Sequence, residues 1–108
     1  MNLQMLRKLC MSLPETSEEL RFGSDLGFSV KGELYCTTAD DDEGGVSFKV
    51  KESEFREMTQ REGIFPAPYL SRFHWVYVID YAWLKDKEWE FFVKQSYELV
   101  KAEGTNDI

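Results

Sequence analysis

The sequence predicts an α+β fold in which one antiparallel sheet carries helices packed on one face. Three observations point there. Apolar residues recur at helical spacing near both ends of the chain, segments between them alternate apolar and polar residues, and 108 residues suffice for one hydrophobic core but not two.

The elements follow in order. Leu3, Leu6, Cys10 and Leu13 keep helical spacing after a capping Asn2, and Pro14 ends the pattern, so residues 3 to 12 read as an amphipathic helix. "ETSEEL" reads as a polar connection. In "LGFSVK", Leu26, Phe28 and Val30 alternate with Gly27, Ser29 and Lys31, which makes a strand with one buried and one wet face. Gly32 supplies a turn and "ELYCTTA" a hairpin partner. After the acidic "DDDEGG", Val46, Phe48 and Val50 alternate with Ser47, Lys49 and Lys51 in the cleanest strand of the chain. Ser53 is a plausible cap for a short helix that buries Phe55 and Met58 and ends at Gly63. A proline-containing turn, "IFPAPYL", then leads into "RFHWVYVI", whose β-branched and aromatic content suits a central strand. Asp86 caps a last helix with Trp89, Phe92, Val93, Ser96, Tyr97 and Val100 on one side and Gly104 as its stop. The reading is one domain over 1–104, with 105–108 a frayed tail.

Composition narrows the function. A 43% hydrophobic and 15% aromatic content excludes a wholly disordered chain. No apolar run approaches the roughly 20 residues of a membrane helix, and the start shows no cleavage signal, so a cytoplasmic protein without membrane partners is expected. Cys10 and Cys36 lack metal or redox spacing and read as reduced thiols. The net charge of −7 is local: residues 14–43 hold nine acids against two bases. An overall acidic chain is not a general nucleic-acid binder, and any such activity needs a basic face. Asp40, Asp41, Asp42 and Glu43 lack the spaced ligands of an EF-hand loop and read as solvated. There is no nucleophile elbow, phosphate-binding glycine loop or His-rich spacing, so no catalytic residue, metal or cofactor is expected.

The segment "SRFHWVYVID" poses the functional question. Alternation puts Phe73, Trp75 and Tyr77 on one side and His74, Val76 and Val78 on the other. If helices cover the valines, the opposite face is open and carries Ser29, Lys31, Ser47, Lys49, Lys51, Trp75 and Tyr77. That would be a basic and aromatic platform of the kind that stacks bases and holds phosphates. The reverse assignment turns His74 outward and sends the aromatics into the core. Plain packing competes with both, since Trp and Tyr fill cores readily, His74 has no nucleophile motif nearby, and Arg72 can hold an anion or pair with a carboxylate.

"LRKLCMSLPETSEELRFG", "SFKV", "PAPYLSRFHWVYV" and "QSYELV", in this order, resemble the MmcQ/YjbR family of small bacterial proteins over about Leu6 to Lys101. The resemblance implies a fold similar to CyaY and frataxin, with helices on one side of an antiparallel sheet. It also implies DNA binding, under the "double wing" label given to the family. The matching positions are Lys49, Lys51, Arg72, His74 and Trp75. Frataxin-type iron binding does not carry over, because the first helix has Arg7 and Lys8 and no acid.

The expectation is therefore a monomeric binding module rather than an enzyme. In the first version Lys31, Lys49, Lys51 and Arg72 neutralise DNA phosphates while Trp75 or His74, with Tyr77 on the same surface, touches sugar or base. The alternative is a protein or small-ligand interaction module using the same sheet face.

Overall fold

The computed structural model describes residues 1–21, 25–39, 45–68 and 70–105. In chain order they form α1 (Leu3–Met11), β1 (Thr16–Arg21), β2 (Asp25–Val30), β3 (Glu33–Ala39), β4 (Val46–Lys49), α2 (Glu52–Met58), β5 (Ile64–Pro66), β6 (Trp75–Val78) and α3 (Asp86–Thr105). Short 3-10 turns lie at Ser71–Phe73 and Tyr81–Trp83. The strands make one six-stranded sheet ordered β1-β2-β3-β4-β6-β5, with every neighbouring pair antiparallel. This is the α+β architecture that the sequence predicts.

Register explains which face is buried. Phe28 lies opposite Cys36, Cys36 opposite Phe48, and Phe48 opposite Val76, while Val46, Val78 and Ile64 form a parallel row. All are buried, together with Leu6 and Cys10 of α1, Met58 of α2, and Trp89, Val93, Tyr97 and Val100 of α3. The three helices thus cover this face. Polar ends of the large side chains find partners: the Trp89 indole donates to the Tyr81 carbonyl (2.9 Å), and the Tyr97 hydroxyl donates to the Pro14 carbonyl (2.7 Å). Such partners offset most of the cost of burying polar groups.

One irregularity organises the middle of the sheet. Between Phe28 and Ser29 the register slips, so that Tyr35 is the extra residue on β3. A bulge breaks the inside-outside alternation. Consecutive Tyr35 and Cys36 are therefore both fully buried. The Tyr35 hydroxyl donates to the Cys10 carbonyl (3.3 Å) and lies 2.9 Å from the Thr16 hydroxyl, and its ring meets Tyr97 edge-on. Beyond the Cys36–Phe48 pair, β3 and β4 no longer bond directly. Instead the Ser96 hydroxyl of α3 donates to the Tyr35 carbonyl (2.6 Å) and accepts from the Lys49 amide (2.9 Å). A helix side chain completes the strand ladder.

Several sequence expectations are corrected. "ETSEEL" supplies β1, an edge strand whose Ser17, Glu19 and Leu20 are exposed, which is why no alternation showed. β5 is likewise an edge strand, where Pro66 needs no ladder donor. α2 begins at Glu52, because the Lys51 amide donates to the Glu54 carboxylate (2.9 Å), so Ser53 lies inside the helix rather than at its cap, and the helix ends at Met58 rather than at Gly63. "RFHWVYVI" contributes only four strand residues. α3 runs through Gly104 to Thr105, and the rest of the expected tail, like the Asp40–Glu43 loop, lies outside the described residues. Among the described residues no helix is long and apolar enough to cross a membrane.

Ser96→Ala should leave the Tyr35 carbonyl and Lys49 amide without their bridge, lowering unfolding free energy by about 2–3 kcal/mol in urea titrations. A loss under about 0.5 kcal/mol would show that the bridge is dispensable. The buried thiols give a second expectation. The hydrogen bond with Cys10, and then burial, push the Cys36 thiol up, while burial and then Cys10 push the Tyr35 phenol up. As pH climbs above the ordinary thiol value of about 8.5, the unfolded chain releases protons that folded Cys36 retains, so stability falls there. Both thiols should ignore Ellman's reagent in the folded protein and react in denaturant; rapid reaction in the native state would contradict this packing.

Candidate nucleic-acid interface

The outer sheet face is not the expected platform. Ser47 lies opposite Tyr77, and Lys49 opposite Trp75, so register does aim both aromatics away from the helices. Yet Trp75 is only 6% exposed and Ser47 only 8%. The cause is the β5–β6 connection: the Ala67 amide donates to the Trp75 carbonyl (3.0 Å) and the Trp75 amide to the Leu70 carbonyl (3.3 Å). The connection closes over this end of the sheet, where Ala67, Pro68 and Leu70 meet Asp25, Leu34, Thr37 and Ser47 around a cavity of about 170 Å³. Tyr77 is half-buried beside Gly45, which has no room for a side chain next to the phenol.

The cations also leave that face. Lys31 is not a strand residue: with Gly32 it forms the two-residue β2–β3 turn, both at positive φ. Lys49 Nζ reaches Glu103 of α3 at 2.7 Å, and its side chain is 13% exposed. The separation of β3 from β4 around Ser96 accompanies this turn of Lys49 toward the helix. Ser29, expected to be wet, is buried.

Lys51, Arg72 and His74 gather elsewhere. Val50 and Lys51 lead from β4 into α2, and the Val50 amide donates to the His74 carbonyl (2.9 Å), which holds the 71–74 turn against the start of α2. His74 is not on a strand face. It ends the 3-10 turn in the left-handed region (φ 66°, ψ 36°), a conformation costing a non-glycine residue roughly 1–2 kcal/mol. Its amide donates to the Ser71 carbonyl (3.0 Å), and its ring contacts Phe55 with centroids 5.8 Å apart.

Between α2 and this turn runs a cleft of about 330 Å³, lined by Arg56, Thr59, Ser71, Arg72 and His74 over a floor containing Phe55. A second depression of about 590 Å³ shares Glu52 and Arg56 with it and adds Lys51 and Ser53. Among the described residues, Lys51, Arg56 and Arg72 form no ion pair, whereas Arg7, Lys49 and Arg61 are each bound to a carboxylate. The Arg72 guanidinium lies 4.9 Å over the Phe73 ring. Against these three cations the cleft wall sets Glu52; Glu54 is occupied with the Lys51 amide and with Gln95 (3.3 Å). No three His, Cys, Asp or Glu side chains among the described residues gather as metal ligands.

Arg56 was not singled out by sequence reasoning. The signal was present: Glu52, Arg56 and Thr59 are spaced by four and three residues, hence on one stripe of α2 and its C-cap, with Phe55 bordering the stripe.

A family model described as YjbR matches residues 11–99. The chain belongs to the YjbR family. Protein DR2400 of Deinococcus radiodurans, described with a DUF419 domain, has a crystal structure similar to this YjbR chain: 27% identity and TM-score 0.85, over 94% of this chain and 80% of that one. A Pseudomonas syringae protein is similar in fold at 19% identity and TM-score 0.76, over 93% of this chain and 99% of that one. No curated protein matches the sequence of this YjbR member.

Charge reversal at the cleft tests its assembly as a cationic unit. Arg56→Glu with Arg72→Glu should leave the thermal midpoint within about 2 °C, since both side chains are exposed and outside ion pairs. A large drop would show that the two arginines serve packing instead.

Proposed function

We propose that this YjbR-family domain binds DNA through the cleft between α2 and the 71–74 turn, not through the outer sheet face. The observation that carries the reading is the pairing of Arg56 and Arg72, outside any described ion pair, in the lining of one cleft of an otherwise acidic chain, with Lys51 in the adjoining depression that shares Arg56. Guanidinium groups are planar donors suited to phosphate oxygens, and two of them flank the same depression. The net charge of −7 opposes long-range attraction, so binding is of short range and falls steeply with salt.

Fluorescence anisotropy with labelled oligonucleotides provides the test. Neutralising about three phosphates gives a slope of about −2 to −3 in log affinity against log salt. Arg56→Glu with Arg72→Glu should abolish binding at low salt, whereas Lys49→Gln, at a residue already committed to Glu103, should change it less than about twofold. Undiminished binding in the double variant would overturn the assignment to this cleft. A second reading has its own observation, the cavity beneath Ala67, Pro68 and Leu70, where Asp25 and two hydroxyl residues line an otherwise apolar space. A small ligand held there would bind independently of salt and of both arginines.

A further inference from the structure

We infer that the cleft is built for a single strand with unpaired bases, rather than for duplex. This rests on the reading of the cleft as a DNA site and adds which form of DNA it takes.

Two observations carry it. The first is the Arg72–Phe73 pair. Phe73 is 46% exposed although it is a large aromatic residue, and the Arg72 guanidinium covers its ring at 4.9 Å. The 3-10 turn thus presents a cation–π pair, with its ring partly exposed, next to the cleft that Arg72 lines. An unpaired base can stack on the exposed part of the Phe73 ring, because every base has a π face. Bases in a duplex are already stacked on one another and offer only their edges.

The second is the shape of the elements around the cleft. Reading duplex in the major groove requires an α-helix or a two-stranded ribbon projecting into a groove about 12 Å wide. Here α2 has seven residues, hence a length of about 10 Å, and turns Phe55 and Met58 to the core. The 71–73 turn has three residues and lies against the start of α2. Neither projects. A cleft lined by two exposed guanidinium groups, with a partly exposed aromatic ring against one of them, instead matches one nucleotide unit, whose phosphate would meet Arg56 and Arg72 while its base meets Phe73.

His74 fits the same picture as a positioning residue. Its left-handed backbone ends the turn directly after Phe73, and its carbonyl fixes that turn to Val50.

The experiment compares a labelled oligothymidylate of about ten nucleotides with a duplex of the same length, by anisotropy at low salt, using the full chain. The single strand should bind at least about tenfold more tightly. Phe73→Ala and Phe73→Leu should each weaken oligothymidylate binding by about 5- to 100-fold and leave duplex binding within about twofold, while Phe73→Trp should preserve it. The leucine and tryptophan variants separate stacking from bulk, and circular dichroism verifies that each is folded. Equal or tighter duplex binding would overturn the single-strand inference while leaving the DNA reading intact. Binding of neither probe would overturn both. A single-strand preference that survives Phe73→Leu unchanged would overturn the role given to the aromatic stack.

Discussion

One buried hydroxyl ties the longest helix to two strands of the sheet at once. Ser96, fully buried on α3, donates to Tyr35 of β3 and accepts from Lys49 of β4, at the point where those strands stop bonding to each other. Two buried backbone groups that would otherwise lack partners are satisfied by a helix, and the helix is fixed in register against the sheet. The bulge at Tyr35 belongs to the same device, because it turns two successive side chains into the core and presents the Tyr35 carbonyl to α3. Beyond this seam β4 is free to depart from β3, and the chain passes through Val50 into α2.

That departure decides where the charges go. Lys49 turns to Glu103, while the next basic residue, Lys51, emerges at the start of α2 beside Arg56. The Val50–His74 hydrogen bond then brings the 71–74 turn to the same place and supplies Arg72. A chain with 20 acids and 13 bases thereby retains a small cationic cleft without a basic sheet. Its positive charge comes from three neighbouring side chains rather than from a broad basic patch.

The layers of the fold were legible where periodicity was strong. α1 and α3 have wide apolar stripes, and β2, β3 and β4 each have one face in the core. The edge strands were not: Thr16–Arg21 and Ile64–Pro66 mix polar, exposed and proline residues because only part of either strand packs against anything. Of the seven residues singled out for binding, Arg72 and His74 line one cleft and Lys51 the depression adjoining it, and Lys31, Lys49, Trp75 and Tyr77 do not join them. The reasons are tertiary. Glu103 is distant in sequence from Lys49, Trp75 is covered by its own preceding connection, and a histidine at positive φ leaves no pattern by which a strand of alternating residues can be told from a turn.

The most direct test of the account is a map of perturbed backbone amides in ¹⁵N–¹H correlation spectra during titration with a short single-stranded oligonucleotide at low salt. The account predicts shifts concentrated in residues 51–59 and 71–75, with Thr37, Ser47 and Tyr77 of the outer sheet face unmoved. Shifts centred on those sheet residues, with α2 silent, would contradict it.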